Sequence, residues 1–197
     1  MLKRLSVAGA LLPLMTLPGL AQDAQIAVAA NFTAAAEELA AAFQEATGYE
    51  IGLSFGATGQ LYTQITQGAP FAALLSADAE RPALLADEGL GVPESVFTYA
   101  MGRLALYSAE EGAELGAETL ETDFDALSIA DPAAAPYGAA ALETIDALGL
   151  TATLTGRLVT GQNITQAFQF VSTGNAEYGF VALSQVIEAG EGSYWLV

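Results

Sequence analysis

The chain has 197 residues, 53% of them apolar, enough to bury a sizeable core in one domain or two small ones. Five basic residues stand against 23 acidic ones, which argues against nucleic acid and anionic membrane surfaces as partners, since both require a positive face. Histidine and cysteine are both missing, which removes Ser-His-Asp and Cys-His catalysis, histidine metal sites and any disulfide framework.

Residues 1–21 have the pattern of a secretory signal peptide. Lys3 and Arg4 form a basic head, Val7 to Leu17 is apolar, and Gly19 and Ala21 are spaced for cleavage after Ala21. The apolar run is too short to span a bilayer, so the chain beyond it is expected to be exported. Three arginines then face 23 acids, a net charge of −20. Runs such as Glu118 to Asp125 read as solvated faces that favour solubility.

Beyond the leader, one device recurs four times: a short apolar strand, a polar turn and a helix. The first is Ile26 to Ala30, then Asn31, then a helix to Thr47 stopped by Gly48, with Leu39 and Phe43 four apart on its expected core face. The second is Glu50 to Phe55, then Gly56-Ala-Thr-Gly59, where Thr58 is the expected cap of a helix ending before Gly68. Val96 to Tyr107 follows as one or two strands, with a crossover near Phe97 to Tyr99. The third device is Leu127 to Ala130, then the turn Asp131 to Gly138 and a helix to Leu148. The fourth is Arg157 to Thr160 with a helix capped by Asn163 and stopped at Gly174, leading into the strand around Phe180. Strands alternating with helices imply parallel sheets, with a ligand outside the carboxyl ends of the strands. A turn that opens a helix presents unpaired N–H groups and suits an anion.

Six segments then carry a resemblance through their order: Ala29-Ala-Asn-Phe-Thr33, Ser54-Phe-Gly-Ala-Thr-Gly-Gln-Leu61, Gly68-Ala-Pro-Phe71, Ser76-Ala-Asp78, Ala135-Pro-Tyr-Gly138 and Gly174-Asn-Ala-Glu-Tyr-Gly-Phe-Val181. From about Ile26 onward the chain resembles the periplasmic molybdate-binding proteins of ABC importers. The resemblance implies an α/β, two-lobed type II periplasmic-binding-protein fold. Each lobe would be a mostly parallel sheet flanked by helices, with a tetrahedral oxyanion in the cleft. It implies lobes at 22–97 and 98–184, and a segment 185–197 that starts back toward the first lobe. Family chains continue past Val197 with a returning strand and closing helices. The first lobe is therefore expected to be short of a strand and to leave apolar surface uncovered.

The resemblance also implies the ligand set. Asn31 and Thr58 would come from the first lobe, and Tyr137 and the backbone N–H of Ile164 from the second. The ion would be molybdate or tungstate, so molybdenum would be present only as the bound ion, with no separate cofactor. The partner would be the membrane permease of an ABC importer, and the chain is expected to be monomeric and not an enzyme. Ala72 departs from the family, which often has an acid after Gly-Ala-Pro-Phe. The alternatives are a sulfate or phosphate binder on the same fold, or a carboxylate-based hydrolase. Such a hydrolase would have to draw on acids such as Asp78 or Asp131, and no base or nucleophile can be paired with either.

Overall fold

A computed structural model describes residues 24–197, and the leader with its cleavage point lies outside them. The element order is β1 (Ala24–Ala29), α1 (Thr33–Thr47), β2 (Ile51–Gly56), α2 (Thr58–Thr66), β3 (Ala73–Leu75), α3 (Glu80–Asp87), β4 (Leu104–Ser108), β5 (Leu127–Ala130), α4 (Pro136–Ala147), α5 (Thr151–Leu154), β6 (Leu158–Gly161), α6 (Ile164–Ser172), β7 (Tyr178–Ala182), α7 (Leu183–Ala189) and β8 (Ser193–Leu196). Short 3-10 turns precede α1, β4, β5 and β6.

Two sheets result. The first has the order β2-β1-β3 and is wholly parallel. The second has the order β6-β5-β7-β4-β8, with β5 parallel to β6 and β7, and β4 antiparallel to β7 and β8. The βαβ connections explain the parallel pairs, since a crossover helix returns the chain to the same edge of the sheet. Glycines in the left-handed region end α1 at Gly48 (φ 78°) and α7 at Gly190 (φ 65°).

The second sheet is buried on both faces. On one, Leu106, Leu127, Ile129 and Phe180 pack against Ile145 and Leu154 of α4 and α5. On the other, Tyr107 and Val181 meet Val171 of α6 and Val186 of α7. A third cluster joins the lobes: Ala30 and Ala57 of the first pack with Ala130, Ala135, Ile164, Ala167 and Ala182 of the second.

Four expectations are corrected. Leu39 and Phe43 do not form a core face: they are 60% and 45% exposed, and Ala36 is the buried residue of α1. Their periodicity is helical, but the three-stranded sheet offers the carboxyl half of α1 nothing to bury against. Thr58 is not a cap. It is the first residue of α2, behind Ala57. The strand expected over Val96 to Tyr107 begins only at Leu104, because the preceding residues cross between the sheets and pair with neither. Residues 185–197, expected to start toward the first lobe, instead finish α7 and pair along β4 at the edge of the second sheet.

Candidate functional site

The four predicted turns meet where the sheets face each other. β1 ends at Ala29 and enters a 3-10 turn, Ala30–Phe32, that carries Asn31. β2 ends at Gly56, just before Thr58 opens α2. β5 ends at Ala130, and residues 131–135 lead to α4, whose first two residues are Pro136 and Tyr137. β6 ends at Gly161, and α6 opens at Ile164 behind Asn163. Asn31, Thr58, Tyr137 and Ile164 line one cavity of about 10 Å³, and every residue of its lining is uncharged.

Local sequence explains why each turn holds its place. Asp131 opens its turn by accepting from the Ala133 N–H at 3.0 Å through Oδ1, while its carbonyl accepts from Ala135 N–H at 2.8 Å. Pro136 suits the first helical position, where its missing N–H costs no bond. Gly138 lets α4 sit directly on the end of β5, because a Cβ there would lie 2.2 Å from the Ala130 carbonyl oxygen. Asn163 caps α6 as the sequence predicts, its Oδ1 accepting from Gln166 N–H at 3.0 Å. Ile164 therefore enters the cavity as the first residue of its helix, with an N–H that has no partner within that helix.

The side chains are tuned as donors. Thr58 is 1% exposed, and its Oγ1 accepts from Ala77 N–H at 3.1 Å. That bond occupies a lone pair and leaves the hydroxyl hydrogen free to point elsewhere. Burial pushes the Tyr137 phenol above its ordinary value of 10.0, and a hydrogen bond from the Asn31 side chain pulls it the other way. Tyr137 therefore stays protonated at neutral pH and can donate.

Direct bonds tie the lobes together around the cavity. Gly59 N–H donates to the Ala134 carbonyl at 2.8 Å, Ser184 Oγ to the Asn31 carbonyl at 2.9 Å, and Thr165 Oγ1 to the Ala30 carbonyl at 3.4 Å. Beside them lies a wider, open depression of about 430 Å³, lined in part by Gly59, Tyr62, Arg81 and Ala134. Its arginine is engaged, since Arg81 pairs with Asp78 and reaches the Ala133 carbonyl at 3.5 Å. Asp78 also accepts from the Arg81 backbone N–H at 3.0 Å and from Ser76 Oγ at 3.1 Å, so it braces a turn. Arg157 lies over the Phe124 ring and donates to the Thr122 carbonyl. Ala72 is exposed and does not line the cavity.

Among the described residues, no group of three or more His, Cys, Asp or Glu is placed to hold a metal ion, and no helix is long and apolar enough to cross a membrane. The cavity holds amide, hydroxyl, phenol and helix N-terminal donors without a carboxylate or a nucleophile–base pair. Such a set can bind an anion. Sequence reasoning did not single out Ala77, whose N–H reaches Thr58 from 19 residues away, because no local spacing announces such a contact.

Comparison with known proteins follows the same line. The family of bacterial extracellular solute-binding proteins matches residues 24–197. The chain is 52% identical over 185 residues to the molybdate-binding protein ModA of Rhodobacter capsulatus, covering 93% of this chain and 73% of that one. It is 50% identical over 182 residues to ModA of Azotobacter vinelandii, covering 90% and 72%. In structure it is similar to the periplasmic molybdate-binding protein of A. vinelandii, with a TM-score of 0.85, 36% identity, and coverage of 89% and 79%.

Proposed function

Because the chain belongs to the bacterial extracellular solute-binding proteins, and within them to the ModA molybdate-binding family, we propose that it captures one molybdate or tungstate ion for an ABC importer. The observation that carries the reading is the cavity at the meeting of four turns, with donors from both lobes and no charged lining residue. Asn31, Thr58 and Tyr137 would donate through side chains, and Ile164 through its backbone N–H. Each bond to a charged ion contributes about 1.5–3 kcal/mol, and helix N-termini add roughly half a positive charge apiece. Several together offset the desolvation of a dianion without a lysine or arginine.

The cavity is now about 10 Å³, the room of one water-sized body. An ion with four oxygens would require the cavity to widen and would take Asn31 and Tyr137 as donors. Donors converging from four turns favour a fully deprotonated oxyanion, which accepts from all of them, over a protonated phosphate, which must also place a hydrogen of its own.

In this reading the leader is cleaved after Ala21, and the protein works in the periplasm as a monomer that delivers the ion to a membrane permease. It binds and does not turn over its ligand. Among the described residues, 24–97 form the first lobe, and the second starts at residue 98 and carries β8 with it. Calorimetric titration with molybdate, tungstate, sulfate and phosphate is the test. Tight binding of the first two and weak binding of the others is expected, and phosphate binding as strong as molybdate would overturn the reading.

A further inference from the structure

Residues 97–103 run without regular structure from the first lobe to β4, and they touch the framework of three of the proposed ligand side chains. The Tyr99 ring meets Phe32, the neighbour of Asn31, edge-on at 5.2 Å. The Tyr99 hydroxyl donates to the Ser76 carbonyl at 3.0 Å. The next residue, Ala77, gives its N–H to Thr58 Oγ1 at 3.1 Å. Three residues beyond Tyr99, Gly102 lies flat against the phenol of Tyr137. A Cβ at 102 would stand 2.1 Å from the Tyr137 hydroxyl oxygen and 3.1 Å from Cζ.

We propose that Tyr99 and Gly102 are positioning residues for oxyanion capture: the connection between the lobes is the wall that aims the Thr58 hydroxyl and the Tyr137 phenol into one cavity. This rests on the oxyanion reading of that cavity. Gly102 sets how far the phenol reaches, because bare backbone is all that fits behind the hydroxyl. Tyr99 holds the Ser76–Ala77 peptide, whose N–H occupies one lone pair of Thr58 and so turns the hydroxyl hydrogen away from it. Phe32 fixes the same tyrosine against the turn that carries Asn31. One segment thus braces donors from both lobes. A change in lobe angle that displaces this segment moves the Thr58 and Tyr137 donors together. Binding energy at an ion depends on donors lying within a few tenths of an ångström of their places, so such a wall decides affinity without touching the ligand.

The test is a double-mutant cycle read by calorimetric titration with molybdate. Gly102 does not hold a positive φ, so alanine there is opposed by the phenol and not by the backbone. Gly102→Ala is expected to weaken binding about tenfold or more, the loss of one bond to a charged ligand. In a Tyr137→Phe background the hydroxyl is gone, and the same alanine should cost less than about twofold. Parent-like affinity of Gly102→Ala, or an equal loss in both backgrounds, overturns the inference. Thermal melts establish that the variants fold. Should Gly102→Ala not fold, Tyr99→Phe keeps the ring and removes the bond to Ser76. It should weaken binding roughly three- to tenfold in the parent and hardly at all in Thr58→Ala. Equal losses there also overturn the inference. A parent that binds none of the four oxyanions sinks the oxyanion reading along with it, whereas a tight-binding parent with neutral variants sinks the positioning role alone.

Discussion

The two lobes contribute evenly to the proposed ligand donors and very unevenly to the buried apolar surface. Asn31 and Thr58 come from the first, Tyr137 and Ile164 from the second. Of the twelve largest fully buried side chains among the described residues, only Leu61 and Val28 belong to the first. Of the sixteen large apolar residues that remain exposed among the described residues, nine lie in the first lobe, from Leu39 to Phe97. The second sheet is covered on both faces by α4, α5, α6 and α7, while the first has three strands and a long α1 whose only buried residue is Ala36. Hydrophobic burial stabilises by about 25 cal/mol per Å², so the second lobe is the scaffold. The interlobe alanine cluster and bonds such as Gly59 to Ala134 fasten the first lobe to the second. A site can therefore be symmetric in its chemistry while its two halves differ in how firmly they are built.

Paired core substitutions put the sharpest strain on that contrast. Phe180→Ala removes a wholly buried ring from the second lobe and should cost about 3–5 kcal/mol. Phe43→Ala removes an exposed one from the first and should stay within about 0.5 kcal/mol of the parent. Urea unfolding measures both. If Phe43→Ala were as costly as Phe180→Ala, the outer face of α1 would be covered in solution and the two lobes would not differ as described.

Substitutions at the cavity address the other half of the comparison, its evenness. Asn31→Ala and Thr58→Ala from the first lobe, and Tyr137→Phe from the second, should each weaken molybdate binding by about 1.5–3 kcal/mol. Thr58→Ala should also lower stability by about 1–3 kcal/mol, since it leaves the Ala77 N–H without its acceptor. Titration and melting separate the two effects. Losses confined to one lobe would mean that the ion is held from one side.

Much of this arrangement was legible from residue order alone. The four strand–turn–helix units fall where the apolar runs and turn residues put them, and Asn163 caps α6 because an Asn before a helical run has one dominant use. Asn31, Thr58, Tyr137 and Ile164 come together because each follows the carboxyl end of a strand. What stayed hidden depends on partners distant in sequence. Leu39 and Phe43 carry a helical apolar period, but no period tells whether another surface exists to cover it. Thr58 looked like a cap, yet its hydroxyl is claimed by Ala77 across the lobe. The strand expected from Val96 begins only at Leu104, and the residues before it include Tyr99 and Gly102, whose neighbours Ser76 and Tyr137 are distant in sequence.

A smaller effect comes from pH, and it isolates the second lobe's contribution to the cavity. The Tyr137 phenol donates only while protonated, and burial raises its value above 10.0. Molybdate affinity should therefore hold level up to about pH 10 and fall as pH rises through the raised value, where the phenolate loses its proton and repels the ion. In Tyr137→Phe the affinity starts lower and this alkaline decline should shrink. A decline of the same size in both proteins would assign it to some other group.

The smallest expected effect concerns a brace within the second lobe. Glu177 precedes β7 and accepts from Asp125 N–H at 3.1 Å and Ala126 N–H at 3.0 Å, fastening the loop before β5 to the strand beside it. The Asp125 backbone bond is the larger influence holding its carboxyl below the ordinary 4.5, the Ala126 bond adds to it, and partial burial opposes both. A depressed carboxylate contributes stability that is fully present above its unfolded value and lost as pH falls through the folded one. Glu177 is exposed, so solvent screens the contribution to well under about 1 kcal/mol. The informative quantity is the difference in urea midpoint between the parent and Glu177→Gln, followed from about pH 6 down to about pH 3. The parent should be slightly the more stable at pH 6, and the gap should close on acidification, because the amide still accepts a hydrogen bond but carries no charge to lose. Parallel profiles across that range would mean that the loop is held by packing around Phe124 and Tyr178, whose rings meet edge-on at 5.3 Å, and not by the carboxylate.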